Sequence, residues 1–441
     1  MSEIIHRTRA IGQPALFALY VLTVAGGPFG TEAAIAESGR GMSVLLFVLV
    51  PLLWGLPAAL VSAELASTYP IDGGPYAWTK RAFGPVAAAV GGWAGWVTSW
   101  IGLATFPVLF AKLLTKHFSG VDTGIWRWAI AVTVVRGVFV NSLGARSISA
   151  MAVGGVVGTF IPVIALWVVA GSKATHNPLR PIVNEGRSVL ASLGVGLFIV
   201  MWNCTGWDSV ALVAGDVRNP QRSYPRAIGW ALVATTTMYV ATLALGLAAT
   251  AHGTVAWDTG SWLQVARSLG GSGLETALLM SGLIAAACQF GSILYSTSQL
   301  PRLLAEDHLL PLALGRRARN GVPVRALILC GVIISVLCAL PFEVLAVGTV
   351  VTVSIGLFFQ FGALARFRKV DPATLRPFRI PLAGRACSLL ALPIVVVLAV
   401  ALWQTVRLAG AAATIGVPAL LLAPAMLLAR RAHKQTHAQD C

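Results

Sequence analysis

Apolar residues run through this chain in long blocks separated by short polar joints. About twelve stretches reach the ~20 residues that a helix needs to cross a hydrocarbon core of about 30 Å. They lie near residues 12–38, 43–68, 84–115, 124–143, 147–171 and 189–215, then 225–251, 273–305, 324–341, 343–365, 386–408 and 411–430. The pattern predicts an all-α polytopic membrane protein. The first run is too long for a cleavable signal peptide and lacks an A-x-A-type site.

Two runs are interrupted. The first reads Val24-Ala25-Gly26-Gly27-Pro28-Phe29-Gly30-Thr31-Glu32, and the sixth reads Trp202-Asn203-Cys204-Thr205-Gly206-Trp207-Asp208. Glycine and proline at this density do not sustain a helix. Irregular backbone at membrane depth is tolerated only where it faces protein or a cavity. The breaks lie five spans apart, so the second half would enter the bilayer in the opposite sense. Each carries the same small pattern, Gly30-x-Glu32 and Gly206-x-Asp208. Paired breaks at corresponding positions of two inverted halves point to a transporter's binding site.

Composition narrows the alternatives. Of 441 residues, 57% are hydrophobic and only 11% charged, against about 25% charged in a soluble domain. An ordinary cytosolic enzyme, a disordered chain and a disulfide scaffold are excluded. The six cysteines show no CxxC spacing, so neither a metal site nor a disulfide framework is expected. The seven histidines fall in loops or tails, and no Walker A sequence is present. No catalytic constellation and no cofactor are expected.

The net charge of +16 raises the question of nucleic acid, but the placement of the basic residues answers it. Of 32 lysines and arginines, 22 fall on one side of the predicted bundle. They include Arg7, Arg9, Lys80, Arg81, Arg302, Arg319, Arg368 and Arg385. Such an excess marks the cytoplasmic face, next to anionic lipid, and puts both termini there. Arg136 falls inside a span, where it either snorkels or pairs.

Several residues are candidates for chemistry. Glu32 and Asp208 each begin a half-helix at a break. A carboxylate at such depth costs about 2.5–3.5 kcal/mol on insertion scales. Each therefore holds a substrate ammonium, carries a coupling proton, or caps its half-helix. The backbone of Gly26, Gly27, Pro28, Phe29 and Gly30, with Asn203, Cys204 and Gly206, would shape the pocket. Trp207 and Tyr295 are aromatic candidates for covering it through cation–π contact. Glu64, near the end of the second run, is a proton site, an inner-gate ion-pair partner or an interfacial carboxylate.

Several segments carry a family resemblance. They are GGPFGTE (26–32), GLPAALVSAELASTYPIDGGPYAW (55–78), TFPVLF (105–110), WNCTGWDSVALVAGDVRNPQRSYPRAI (202–228), LLAEDHLLP (303–311) and RPFRIPLAG (376–384). On these the chain resembles the amino acid–polyamine–organocation superfamily, in its polyamine-uptake and L-type amino-acid branch. The resemblance implies a five-plus-five inverted-repeat core plus two further helices, working by alternating access. The repeats would occupy 1–172 and 173–370, with 371–441 holding the last two spans and the tail. It further implies substrate at Gly26–Gly30 and carries Glu32, Trp207 and Asp208 over as site residues.

Departures from the branch bear on substrate. Gly102 and Leu103 stand where eukaryotic polyamine members carry Asp-Asn, and Gly291 and Thr297 stand where they carry acids. Two retained carboxylates suit a smaller or less charged cargo than spermidine, so an amino acid and a small polyamine both stand. The fifth run also lacks the lysine that some relatives use as a built-in cation. A coupling proton on Glu32, Asp208 or Glu64 is then expected, with sodium at Thr297 and Ser298, or exchange without a coupling ion, as alternatives. The expectation is a secondary carrier of the plasma membrane for amino acids or small polyamines; a non-transporting sensor or a channel on the same scaffold is the competing class.

Overall fold

The computed structural model describes residues 10–118, 123–318, 321–382 and 389–440. Arg7, Arg9, Arg319 and Arg385 of the basic face lie outside the described residues. The described residues form helices, their connections and one isolated bridge. Six stretches among them are long and apolar enough to cross a bilayer: Arg40–Thr68, Pro85–His117, Ala145–Ser172, Pro220–Ala248, Ser261–Glu306 and Phe342–Val370. Shorter apolar helices pack between them.

The first run is two helices, α1 (Gln13–Val24) and α2 (Thr31–Ser38), separated by the glycine-rich break. The second is α3 (Arg40–Val50) and α4 (Leu56–Thr68), joined without interruption through a π-turn at Pro51–Gly55. Pro51 has no N–H for an i−4 carbonyl, and the wider turn takes up that missing bond. A short helix, α5 (Gly74–Phe83), follows before the long α6 (Pro85–His117), α7 (Thr123–Ser142) and α8 (Ala145–Ser172).

The second half opens with α9 (Val195–Trp202), a break, and a 3-10 helix over Ser209–Asp216. Then come α10 (Pro220–Ala248), α11 (Ser261–Thr297), α12 (Gln299–Glu306), α13 (Val324–Leu337) and α14 (Phe342–Val370). The chain ends in α15 (Ala391–Ala409), α16 (Ala411–Leu422) and α17 (Pro424–Asp440). Two features were not legible in the hydrophobic runs. Residues 261–270 already form helix, turned at Gly271 (φ 73°) into the rest of α11. The last run is divided between α16 and α17 at Pro424.

Side-chain burial separates protein-facing from lipid-facing surfaces. On α8 the exposed residues Val153, Val157, Ile161, Ile164 and Val168 recur every three or four positions, while Ile148, Ala152, Gly155, Thr159 and Val163 are buried. On α13, Ile328, Val332 and Val336 repeat the pattern. An apolar stripe left outward is what a bilayer solvates. Inward contacts are close because they use glycine: a Cβ on Gly155 would stand 2.9 Å from the side chain of Cys288. The inner helix α1 packs against α8, α10 and α11, and α6 lies against α11 and α14.

Glu64 belongs to the scaffold. Its Oε1 accepts 2.8 Å from Arg368 Nε, its Oε2 meets Arg368 Nη2, and the Ile380 amide donates 2.8 Å to the same oxygen. Arg376 stands 3.5 Å away. Of the three readings considered for this carboxylate, the ion pair is the arrangement present; it straps residues 376–382 over the end of α4. Arg136 donates 3.3 Å to the Ala287 carbonyl.

Breaking a buried pair from one side costs about 3–5 kcal/mol, because the abandoned charge stays buried. Glu64→Ala is expected to lower the thermal unfolding midpoint of the detergent-purified protein sharply. Glu64→Leu combined with Arg368→Leu should recover part of the loss.

Candidate functional site

The two breaks face one another. The first turns through Gly27 (φ 85°) and Gly30 (φ 97°), and the second through Gly206 (φ 103°), all left-handed positions that favour glycine. Between them lies a cavity of about 120 Å³. The breaks contribute Gly26, Phe29, Asn203, Thr205, Gly206 and Asp208 to its wall. Ser99 and Phe106 come from α6, Gln289 and Thr297 from α11, Tyr239 from α10 and Thr349 from α14.

Side chains at the breaks absorb most of the backbone groups that the helices release. Tyr239 donates its hydroxyl to the Val24 carbonyl at 3.0 Å. Asn203 Nδ2 donates back to Ile199 O at 2.9 Å, and Thr205 Oγ1 to Trp202 O at 2.8 Å. Trp207 turns its indole N–H onto Cys204 O at 3.0 Å, and its own carbonyl receives Ser62 Oγ at 2.8 Å.

Asp208 is the one acidic side chain in the cavity wall among the described residues, and no lysine, arginine or histidine joins it there. Its Oδ2 accepts 2.7 Å from Gln360 Nε2, a neutral donor reaching in from α14. The wall therefore carries one carboxyl group and is otherwise made of hydroxyls, amides and apolar groups. Such a wall suits a cation with an apolar or hydrogen-bonding body.

Of the residues singled out in the sequence, Gly26, Phe29, Gly102, Leu103, Asn203, Gly206, Asp208 and Thr297 line the cavity. The others stand behind it. Gly27 and Gly30 shape the turn that Pro28 completes, and Cys204 and Trp207 are buried on the far side of the second break. Tyr295 donates 2.6 Å to Asp216 rather than covering the cavity. Ser298 bonds the Tyr295 carbonyl at 2.9 Å, and Thr297 the Ile293 carbonyl at 2.9 Å. Glu32 is fully buried, and both its oxygens face backbone amides, Gly30 N at 2.7 Å and Gly260 N at 3.1 Å. It does not line the cavity.

Gln289 and Tyr76 line the cavity and Gln360 bonds Asp208, and none of the three is a candidate from the sequence alone. The glutamines carried a usable signal, a lone amide within an apolar span. A Cβ added to Gly26 would fall 1.9 Å from Gln289 Oε1, so the amide lies directly over the first break. Tyr76 gave no such signal, since it sits in a short joint between spans.

Two groups of contacts flank the cavity. Trp202 stacks edge-on to Phe342 (5.2 Å between centroids) with Phe106 at 6.1 Å, forming an aromatic plug. In the second group the Tyr76 hydroxyl donates to Asp307, which pairs with Lys80 Nζ at 2.7 Å. Burial and the neighbouring Asp307 carboxylate push the Tyr76 phenol up, so it remains a neutral donor.

A family model described as amino acid permease matches residues 11–422. The chain is 27% identical over 396 residues to the polyamine transporter PUT1 of Oryza sativa subsp. japonica, covering 89% of this chain and 74% of that one. It is also 27% identical over 390 residues to the polyamine transporter RMV1 of Arabidopsis thaliana, covering 88% and 79%. A probable polyamine transporter of the same plant is 28% identical over 400 residues, with 90% and 82% covered.

Gly206 offers a test of the break. An alanine there would hold a left-handed φ at about 1–2 kcal/mol, and its Cβ would stand 2.7 Å from Thr23 Cγ2. Gly206→Ala is expected to lower the thermal midpoint, whereas Gly229→Ala, with nothing within 4 Å, should leave it unchanged or raise it.

Proposed function

The chain belongs to the amino acid permease family, and from that premise we propose that it carries an ammonium-bearing cargo bound at Asp208 between the two helix breaks. It is a multi-pass membrane transporter and not an enzyme. The observation that carries the proposal is the charge of the cavity wall: one carboxylate and no basic side chain among the described residues. A cation entering there exchanges water for Asp208 and for the hydroxyls and amides around it.

The cargo class follows from that single charge. One ammonium balances one carboxylate, so a small polyamine or an amino acid fits better than a triply charged amine. The named relatives are polyamine transporters, which favours the first. Gln289 over Gly26 favours the second, since an amide N–H and bare backbone amides can meet a carboxylate.

In this reading the bundle has twelve spans. Residues 1–172 and 173–370 form inverted repeats, and 371–441 add the last two spans and the tail. The face bearing Lys80, Arg81 and Arg302 is cytoplasmic, both termini lie there, and the membrane is the one bounding the cell. The aromatic plug at Trp202 then closes the outer path, and Tyr76 with Asp307 closes the inner one. Alternate opening of the two moves the cargo. The driving ion is a proton carried by Asp208, the acid that cargo and solvent both reach. Sodium at Thr297 and Ser298 is the alternative: both hydroxyls donate their protons to carbonyls and keep their oxygen lone pairs for a cation.

The test is uptake of labelled putrescine and labelled arginine into proteoliposomes, with and without an inward proton gradient and with neutral amino acids as competitors. Saturable uptake enhanced by the gradient is expected, and Asp208→Asn should reduce it at least about a hundredfold, the loss of a desolvated charge pair worth ~3 kcal/mol. Uptake of either compound with unchanged kinetics in Asp208→Asn would overturn the assignment.

A further inference from the structure

Glu32 occupies an unusual position for a buried carboxylate. It sits at the start of α2, where the helix leaves its first amides without partners. Oε2 takes the amide of Gly30, the residue that ends the break, at 2.7 Å. Oε1 takes the amide of Gly260, 228 residues away, at 3.1 Å. Gly260 precedes the first residue of α11 and is left-handed like Gly30 (φ 91° against 97°). The carboxylate also faces the backbone N–H of Trp262. One side chain thus closes the N-terminal ends of two helices from opposite halves of the chain.

Neighbouring contacts reinforce the same junction. The Trp262 indole donates 2.9 Å to Thr31 Oγ1, and that hydroxyl donates 2.6 Å to the Pro28 carbonyl inside the break. Trp262 is itself fixed, because its ring stacks on Trp257 at 5.2 Å and fills the space that a Cβ on Gly246 would need. Lys116 at the end of α6 pairs with Asp258 at 3.1 Å, just before the junction. Residues 28–32 and 257–262 are therefore tied by side-chain bonds that bypass the cavity.

We propose that Glu32 is a positioning residue that joins the first helix break to the corner at residues 257–262, so that the backbone facing the cargo and this corner move as one body. The joint is a matter of valence. A carboxylate offers acceptors on both oxygens, so it serves two sets of donors at once; a side-chain amide offers one acceptor and turns donors against the other amide. Glu32 acts through Gly30, whose φ sets how Phe29 and Gly26 are presented to the cavity. It does not touch the cargo. Reading that cavity as the cargo site rests on the function proposed above, whereas the joint itself does not.

The joint is tested by hydrogen–deuterium exchange on the full-length protein in lipid nanodiscs. Glu32→Gln is expected to speed amide exchange about tenfold or more in both 28–32 and 257–262. Trp262→Phe, which leaves the carboxylate in place, should speed exchange in 28–32 as well. A response confined to 28–32 in Glu32→Gln, or to 257–262 in Trp262→Phe, would reduce Glu32 to a cap on α2 and overturn the proposal, as would no response. If Glu32→Gln does not fold, Glu32→Asp is the substitute: the shorter side chain keeps Gly30 and loses Gly260, so 257–262 should loosen alone.

A kinetic measurement separates positioning from cargo contact. With labelled putrescine or arginine, Glu32→Gln should lower kcat about tenfold while KM stays within about threefold. A raised KM with unchanged kcat would place Glu32 at the cargo instead. Should the unaltered protein move neither compound, the functional reading fails and the exchange experiment still decides the joint.

Discussion

Backbone amides and carbonyls released inside an apolar bundle must find partners, and this one requirement shapes both the scaffold and the site. A lipid-facing helix meets it internally. The two breaks cannot, because Gly27, Gly30 and Gly206 turn the chain out of helix in mid-bundle. Four of the carbonyls there are met by particular side chains: Val24 by Tyr239, Pro28 by Thr31, Ile199 by Asn203 and Cys204 by Trp207. The side chains nearest the cavity thus hold its backbone in shape, and few polar groups are left facing inward.

The same requirement sorts the buried acids. Glu64 is neutralised by Arg368 and serves as a strap between α4 and the segment after α14. Glu32 is surrounded by backbone N–H groups and has no cation beside it. Asp208 has one neutral donor, Gln360, and open space. Only the last stands beside a cavity. Three carboxyl groups in one apolar bundle meet three different kinds of neighbour: a guanidinium, backbone amides, and a side-chain amide beside a cavity.

The closures also follow from local chemistry. Trp202, Phe106 and Phe342 exclude water by shape and part without breaking a strong polar bond. Tyr76, Asp307 and Lys80 sit at the charged face, where water can replace each contact as it breaks. In the proposed transport cycle these two sets of contacts would be the ones that open and close.

The hydrophobic runs were enough to determine the helical class, the membrane setting and the two breaks, because glycine, proline and apolar length act locally. They also singled out Asp208 and Gly26, which line the cavity between the breaks. What the runs did not carry was which polar atoms would meet. Gln289 reaches the cavity and Gln360 reaches Asp208 from spans far along the chain, and Glu32, matched to Asp208 by its own short motif, turns out to face Gly260 and not the cavity. A motif records which groups are present near a break; whether a carboxylate faces amides, a guanidinium or open space depends on the helices packed against it, and that only the tertiary structure decided.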